Sequence, residues 1–245
     1  MARISAPFGT RPTPCPGKVI DAPLSDKPKA IVFDLDGTLI DSAAEIHAVA
    51  TQLMTELGLR PFTLAETTRF IGHGVASLVH SCLDHRGVAP NDTRRGPAID
   101  RFLEIYETEP AGQARLFKGA QHCLEGLHES GIPLGICTNK SHPIAVKVVQ
   151  ALDLNRLVSS VVGGGQTQAL KPDPSMLDMS MSELCVSPAE TLYVGDSEVD
   201  EATAKAAGVP FALYSAGYRK KPVNAFEASF AFDRYPDLLS WIRKL

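Results

Sequence analysis

The chain has 245 residues, enough for one large domain or two smaller ones around a substantial core. With 24 Lys and Arg against 28 Asp and Glu, its formal charge of −4 gives no basic footprint for nucleic acid or an anionic membrane surface, and favours a small-molecule partner. The five cysteines are odd in number, scattered and without Cys-x-x-Cys spacing, which argues against zinc or redox work and fits a reduced, cytoplasmic setting.

Residues 1–28 carry prolines at 7, 12, 14, 16, 23 and 28 and no apolar run long enough for a signal peptide or spanning helix, so they read as a poorly ordered tail. The short apolar run Ala30-Ile31-Val32-Phe33 reads as a strand buried on both faces, the kind found in parallel sheets. Ser42-Ala43-Ala44-Glu45 has capping-box spacing, and Ile46, Val49, Ala50, Leu53, Met54 and Leu57 follow with helical period up to Gly58. A second capping box, Thr63-Leu64-Ala65-Glu66, opens a short helix expected to end near Ile71-Gly72-His73-Gly74. Helical periodicity returns over residues 75–85 and 99–106. No strand signal interrupts this block, and it is too long for a simple crossover. It predicts a helical cap, residues 42–114, inserted into a core of residues 29–41 and 115–245.

From residue 116 strands and helices alternate: a helix over 119–129, a strand over 132–138, a helix from Ser141 to Leu152, and a strand over 158–162. A helix to Leu184, a strand over 191–194, a helix to Ala207-Gly208, a strand over 211–214 and a terminal helix near 238–245 complete the pattern. Gly163-Gly164-Gly165 lacks dinucleotide or Walker spacing and reads as a flexible turn. The fold expected is α/β, with a Rossmann-like parallel sheet, helices on both faces and the helical cap.

Chemistry-bearing residues fall at or just after predicted strand ends: Asp34 with Asp36, Thr138 with Asn139, Lys171, and Asp196 with Asp200. The carboxyl ends of parallel strands lie along one edge, so these residues converge on one crevice. Gly37 lets the chain turn between the first two carboxylates and the helix that follows, so one acid is available to attack while the other moves protons. A phospho-receiver switch also uses acids, a Thr and a Lys at strand ends. Here, however, the candidate nucleophile lies on the first strand with a helical insert after it.

Asp34-Leu35-Asp36-Gly37-Thr38 resembles the first motif of the haloacid-dehalogenase-like hydrolase superfamily, and the later residues match its other motifs in order. The helical insert, Gly72-His73-Gly74, and the stretch Val194-Gly195-Asp196 to Asp200 resemble the phosphoglycolate phosphatase branch. The resemblance implies a phosphatase in which Asp34 is the nucleophile, Asp36 the acid and base, and Lys171 the neutralising cation. Thr138 and Asn139 would hold phosphate, and Asp34, the main-chain carbonyl of Asp36 and Asp196 would bind Mg2+. Asp200, one turn beyond Asp196, is expected to orient the metal shell or Lys171. Gly72, His73 and Gly74 are the candidate substrate-binding turn. The implied substrate is a small phosphate monoester, 2-phosphoglycolate first. Another small sugar or acid phosphate, a mutase reaction, or a non-catalytic phosphate-binding role are the alternatives.

Overall fold

The computed structural model describes residues 27–108 and 114–245, so the expected proline-rich tail falls outside the described residues up to residue 26. β1 (Ala30–Phe33) is buried along its whole length. Alternate side chains serve the two sides of a sheet. Ile31 and Phe33 join one apolar cluster, while Ala30 and Val32 join another.

β2 (Ile40–Asp41) and β3 (Arg115–Leu116) form an antiparallel pair, with Ile40 opposite Leu116 and Asp41 opposite Arg115. Between them lie α1 (Ala43–Glu56), α2 (Leu64–Thr68), α3 (Gly74–His85) and α4 (Arg95–Thr108), the helical cap. Its chain leaves and re-enters the core side by side. Two residues per strand are too few to show alternation, which is why β2 and β3 have no signature in the sequence. Cap residues such as Val49, Leu53, Val79 and Phe102 belong to the same apolar cluster as Ile31 and Phe33.

The core resumes with α5 (Ala120–Glu129), β4 (Leu134–Ser141), α6 (His142–Ala151), β5 (Ser160–Gly164) and α7 (Ser175–Leu184). It closes with β6 (Thr191–Gly195), α8 (Glu198–Ala207), β7 (Phe211–Tyr214), β8 (Phe230–Phe232) and α9 (Tyr235–Ile242). The six long strands lie in the order β5-β4-β1-β6-β7-β8, and each neighbouring pair is parallel. α5, α6 and α9 contribute Leu124, Val148 and Leu238 to one face, and α7 and α8 contribute Leu177 and Ala204 to the other. This is the Rossmann-like α/β core expected. The chain builds outward from β1 first through β4 to β5, then through β6 to β8, so the crevice at a reversal of strand order opens at the carboxyl end of β1.

Several local expectations change. The Thr63–Glu66 capping box forms, with Thr63 N–H donating to Glu66 Oε2 at 2.7 Å, but the helix it opens stops at Thr68. Ser42 makes no cap bond to α1. Ser141 stands at the N-terminal position of α6 without a side-chain bond. Gly163 and Gly164 lie in β5 rather than in a flexible turn. A Cβ on Gly163 would strike the backbone of His142, and one on Gly164 would lie 3.0 Å from the Asn139 carbonyl oxygen, so these glycines let β5 press against the chain leaving β4. The last helix begins at Tyr235, earlier than its apolar periodicity suggests.

Candidate active site

Asp34 is the first residue beyond β1, and Asp196 and Asp200 follow β6 in the loop and first turn of α8; all three are buried. Each offers a carboxylate oxygen within 4.8 Å of the others. Lys171, from the loop after β5, reaches into this group. Its Nζ donates to Asp34 Oδ1 at 2.8 Å, to Asp200 Oδ1 at 2.7 Å and to the Tyr193 hydroxyl at 2.9 Å.

Burial disfavours the Lys171 ammonium, yet Asp200 and Asp34 outweigh it and hold the group above the ordinary lysine value. Burial pushes the Asp34 carboxyl up to about 7 against the pull of Lys171, with Asp200 and Asp36 adding to the rise. Burial together with the charges of Asp200 and Asp34 raises Asp196 well above the usual carboxylate range. Burial acts on Asp200 too, but there Lys171 and hydrogen bonds from Lys171 and Ser197 prevail, and its value is lowered.

The donor pattern separates these acids. Asp200 Oδ1 is taken by Lys171 and Tyr193, and its Oδ2 accepts from the N–H groups of Asp196 and Ser197 and from Ser197 Oγ at 2.6 Å. Asp196 accepts from Thr38 Oγ1 at 2.9 Å and from the N–H of Tyr218 at 2.5 Å. With three carboxylates and one ammonium, the cluster carries two uncompensated negative charges when ionised. An all-oxygen donor set of this charge suits a hard divalent cation.

Asp36 points elsewhere. Gly37 has φ +85°, and a Cβ there would stand 2.6 Å from Asp196 Oδ2, so only glycine allows this close turn. Beyond it, Asp36 Oδ1 accepts from Ser42 Oγ at 2.6 Å and from Lys140 Nζ at 2.9 Å. Ser42 is therefore recruited to the site. The Tyr218 hydroxyl takes over at the start of α1, accepting from the N–H groups of Ser42 and Ala43 at 2.9 and 3.0 Å while donating to Asp41. Glu45, the other half of the expected capping box, is buried and accepts from the Tyr106 hydroxyl at 3.3 Å.

Thr138 and Asn139 lie near the end of β4. Asn139 clamps Lys171 through both of its main-chain polar groups, at 2.8 and 3.0 Å, and also donates to the Gly72 carbonyl at 2.9 Å. Its side chain is thereby committed to joining two loops and the cap.

A cleft of about 490 Å³, counting space open to solvent, lies between this edge and the cap. Asp34, Asp36, Thr138, Asn139, Lys140 and Lys171 form its core wall. Ile46, Ile71, Val75, Leu78 and Phe102 make the cap wall largely apolar, and Gly72, Gly74 and Tyr106 complete it. Gly74 has φ +81°, and a Cβ on it would stand 2.8 Å from Leu170 Cδ1, so it seats the cap closely on the core. His73 does not belong to the cleft lining. It is exposed at the N-terminal position of α3 and makes no cap bond; burial lowers its pKa, with the charge of Lys220 next in importance.

The structure thus gathers Asp34, Asp36, Thr138, Asn139, Lys171, Asp196 and Asp200 and leaves His73 outside. It adds Lys140, Ser42, Tyr106, Tyr193, Thr38 and Tyr218, which sequence reasoning passed over. Lys140, adjoining Thr138-Asn139, had the clearest available signal.

Residues 31–214 match the haloacid dehalogenase-like hydrolase family. The chain belongs to that family. A phosphoglycolate phosphatase of Cereibacter sphaeroides is 41% identical over 212 residues, covering 85% of this chain and 96% of that protein. A phosphoglycolate phosphatase of Rhodospirillum rubrum is 36% identical, covering 88% and 91%. In shape, this haloacid dehalogenase-like hydrolase resembles the crystal structure of a predicted phosphoglycolate phosphatase from Haemophilus somnus. The TM-score is 0.82, with 24% identity and coverage of 89% of this chain and 99% of that one.

Proposed function

We propose that this hydrolase is a magnesium-dependent phosphatase that cleaves 2-phosphoglycolate to glycolate and phosphate in the cytoplasm. The observation that carries the reading is the division of labour at β1: Asp34 is held by Lys171 beside the acidic cluster, while Asp36 turns away to a separate set of donors. Relatives called phosphoglycolate phosphatase, matched over nearly their whole length, supply the substrate. Among the described residues no helix is long and apolar enough to cross a membrane.

In this reading an Asp34 oxygen attacks phosphorus, and the bond from phosphorus to the ester oxygen breaks. Asp36 gives its proton to the departing alkoxide, leaving glycolate and an aspartyl-phosphate on Asp34. Asp36 then takes a proton from water, whose oxygen attacks the same phosphorus and releases phosphate, returning Asp34. Asp34, Asp196 and the Asp36 carbonyl would hold Mg2+, which would supply charge neutralisation for the phosphoryl oxygens. Lys171 offsets charge beside Asp34, and Asp200 fixes the lysine's direction. Thr138 and the main chain of Asn139 receive the phosphoryl group. Residues 42–114 act as the cap, with Gly72 and Gly74 closing the cleft.

Phosphate release from 2-phosphoglycolate, measured with Mg2+ and after chelation, tests the reading. Turnover with metal and loss on chelation are expected. Absence of turnover, or a higher kcat/KM for other small sugar or acid phosphates in a panel, overturns it.

A further inference from the structure

We propose that Lys140, positioned by the Tyr106 hydroxyl that accepts from it and donates to Glu45, receives the carboxylate of the substrate and is the specificity-determining residue of the cleft. This rests on the phosphoglycolate reading above. A carboxylate one carbon from the ester oxygen extends past the phosphate edge towards an otherwise apolar cap wall, where an unpaired charge is costly. The lining holds two cationic side chains among the described residues, Lys140 and Lys171.

Lys171 has no donor to spare, because an ammonium has three and its partners are Asp34, Asp200 and Tyr193. Lys140 differs. Its Nζ donates to Asp36 Oδ1 at 2.9 Å and to the Tyr106 hydroxyl, and its third donor has no partner among the described residues. Its side chain is only 2% exposed, so that donor is not one spread into bulk water. The contact with Asp36 also sets the distance. Asp36 serves the ester oxygen, so an ammonium on Asp36 stands beside the group joined to that oxygen through one carbon.

Other cations are poorly placed. His73 is exposed and outside the lining, and Arg69 and Arg219 border a separate groove. Arg219 is in addition held by the carbonyls of Ser215 and Lys221 at 2.9 and 2.8 Å. Tyr106 comes from α4 and Lys140 from β4, so the carboxylate would be bound where cap and core meet.

The test compares kcat/KM for 2-phosphoglycolate with that for 2-hydroxyethyl phosphate, which has a CH2OH group in place of the carboxylate. Any loss that Lys140 causes through Asp36 falls on both substrates and cancels in the ratio. Lys140→Met should lower the ratio roughly 100-fold, the scale of one hydrogen bond to a charged group, mainly through KM. Tyr106→Phe should lower it by roughly 3- to 10-fold. If Lys140→Met fails to fold, Lys140→Gln keeps a donor for Asp36 without the charge and gives the same readout. A ratio within threefold of wild type in a folded Lys140 variant overturns the proposal and leaves Lys140 as a partner of Asp36. Wild-type protein that does not prefer 2-phosphoglycolate over the hydroxyl analogue would instead overturn the substrate reading itself, before any variant is considered.

Discussion

The core wall of the cleft is a mesh of charged and polar side chains, in which Lys171, Asp34, Asp200 and Tyr193 meet at 2.7 to 3.0 Å. The facing cap wall is mostly aliphatic and aromatic, built from Ile46, Ile71, Val75, Leu78 and Phe102. Directional contacts of the first kind hold reacting atoms in place, while apolar contacts of the second kind measure size and exclude water. One wall is therefore suited to bond-breaking and the other to selection by size. Losses in kcat shared by every ester should follow damage around Asp34 on the core wall, and changes in preference by size should follow damage to the cap wall, with charge read by Lys140 where the two walls meet.

The largest effect tests the first half of that contrast. Asp34→Asn should lower kcat on the order of 10⁴-fold or more, because an amide is a poor nucleophile. A folded variant with near wild-type turnover would break the comparison. Asp36→Asn should cost about 10² to 10⁴ in kcat for every ester with an alkoxide leaving group, as expected for loss of general acid and base. A smaller effect on an aryl phosphate, whose phenoxide leaves without full protonation, would sharpen the assignment.

Lys171→Ala removes the cation shared by two buried acids, Asp34 and Asp200. Breaking such a group should destabilise the fold by about 3 to 5 kcal/mol as well as impair turnover. Thermal unfolding of this variant checks the first effect, and an unchanged Tm would count against the buried network.

Asp34 also links stability to pH. Its folded value of about 7 lies above the ordinary 3.8, so the fold holds this proton more tightly than the unfolded chain. Its contribution is complete below about 4 and is lost as pH rises through about 7. Asp200, shifted downwards, contributes above 3.8 and loses that only at lower pH, outside this window. Metal-free wild type should thus lose stability relative to Asp34→Asn between pH 5 and 8, by on the order of a few kcal/mol at most, read as a falling Tm. Added Mg2+ should raise Tm more at pH 8 than at pH 5. Equal shifts at both would show that the divalent ion does not bind these acids.

The smallest effect belongs to the cap wall. Val75→Ala should alter the preference between 2-phosphoglycolate and a bulkier phosphate ester by about tenfold or less, while kcat for the smaller substrate holds. Equal change on both esters would mean that the cap wall only seals the cleft.

The same contrast explains what was legible in the sequence. Asp34, Asp196 and Lys171 were readable jointly rather than singly: each alone has an ordinary structural use, but their order along the chain matches a known set of motifs, and a parallel sheet forces strand ends together. Lys140 adjoins Thr138-Asn139 but was passed over, since a lysine before a helix is usually solvated, and the fold buries it against Asp36 and Tyr106. Ser42 and Glu45 misled for the opposite reason. Their spacing satisfies a local rule, but Asp36 competes for the serine while Tyr218 supplies the cap from across the molecule. Tyr193 looked like one more apolar residue of β6, because its ring is buried there, and its hydroxyl gave no pattern. The cap wall carried least information: Ile71, Val75 and Leu78 satisfy helix packing equally well with or without a ligand.

Asp200 completes a capping box with Ser197 at the start of α8 while also gripping Lys171. Winding the first turn of that helix and loading the lysine into its place are thus a single event. A chain in which α8 had frayed would lose the lysine's anchor together with the helix cap. Turnover should therefore vanish in step with the unwinding of α8, even where the rest of the sheet persists, which makes catalysis a local reporter of order at the carboxyl end of β6.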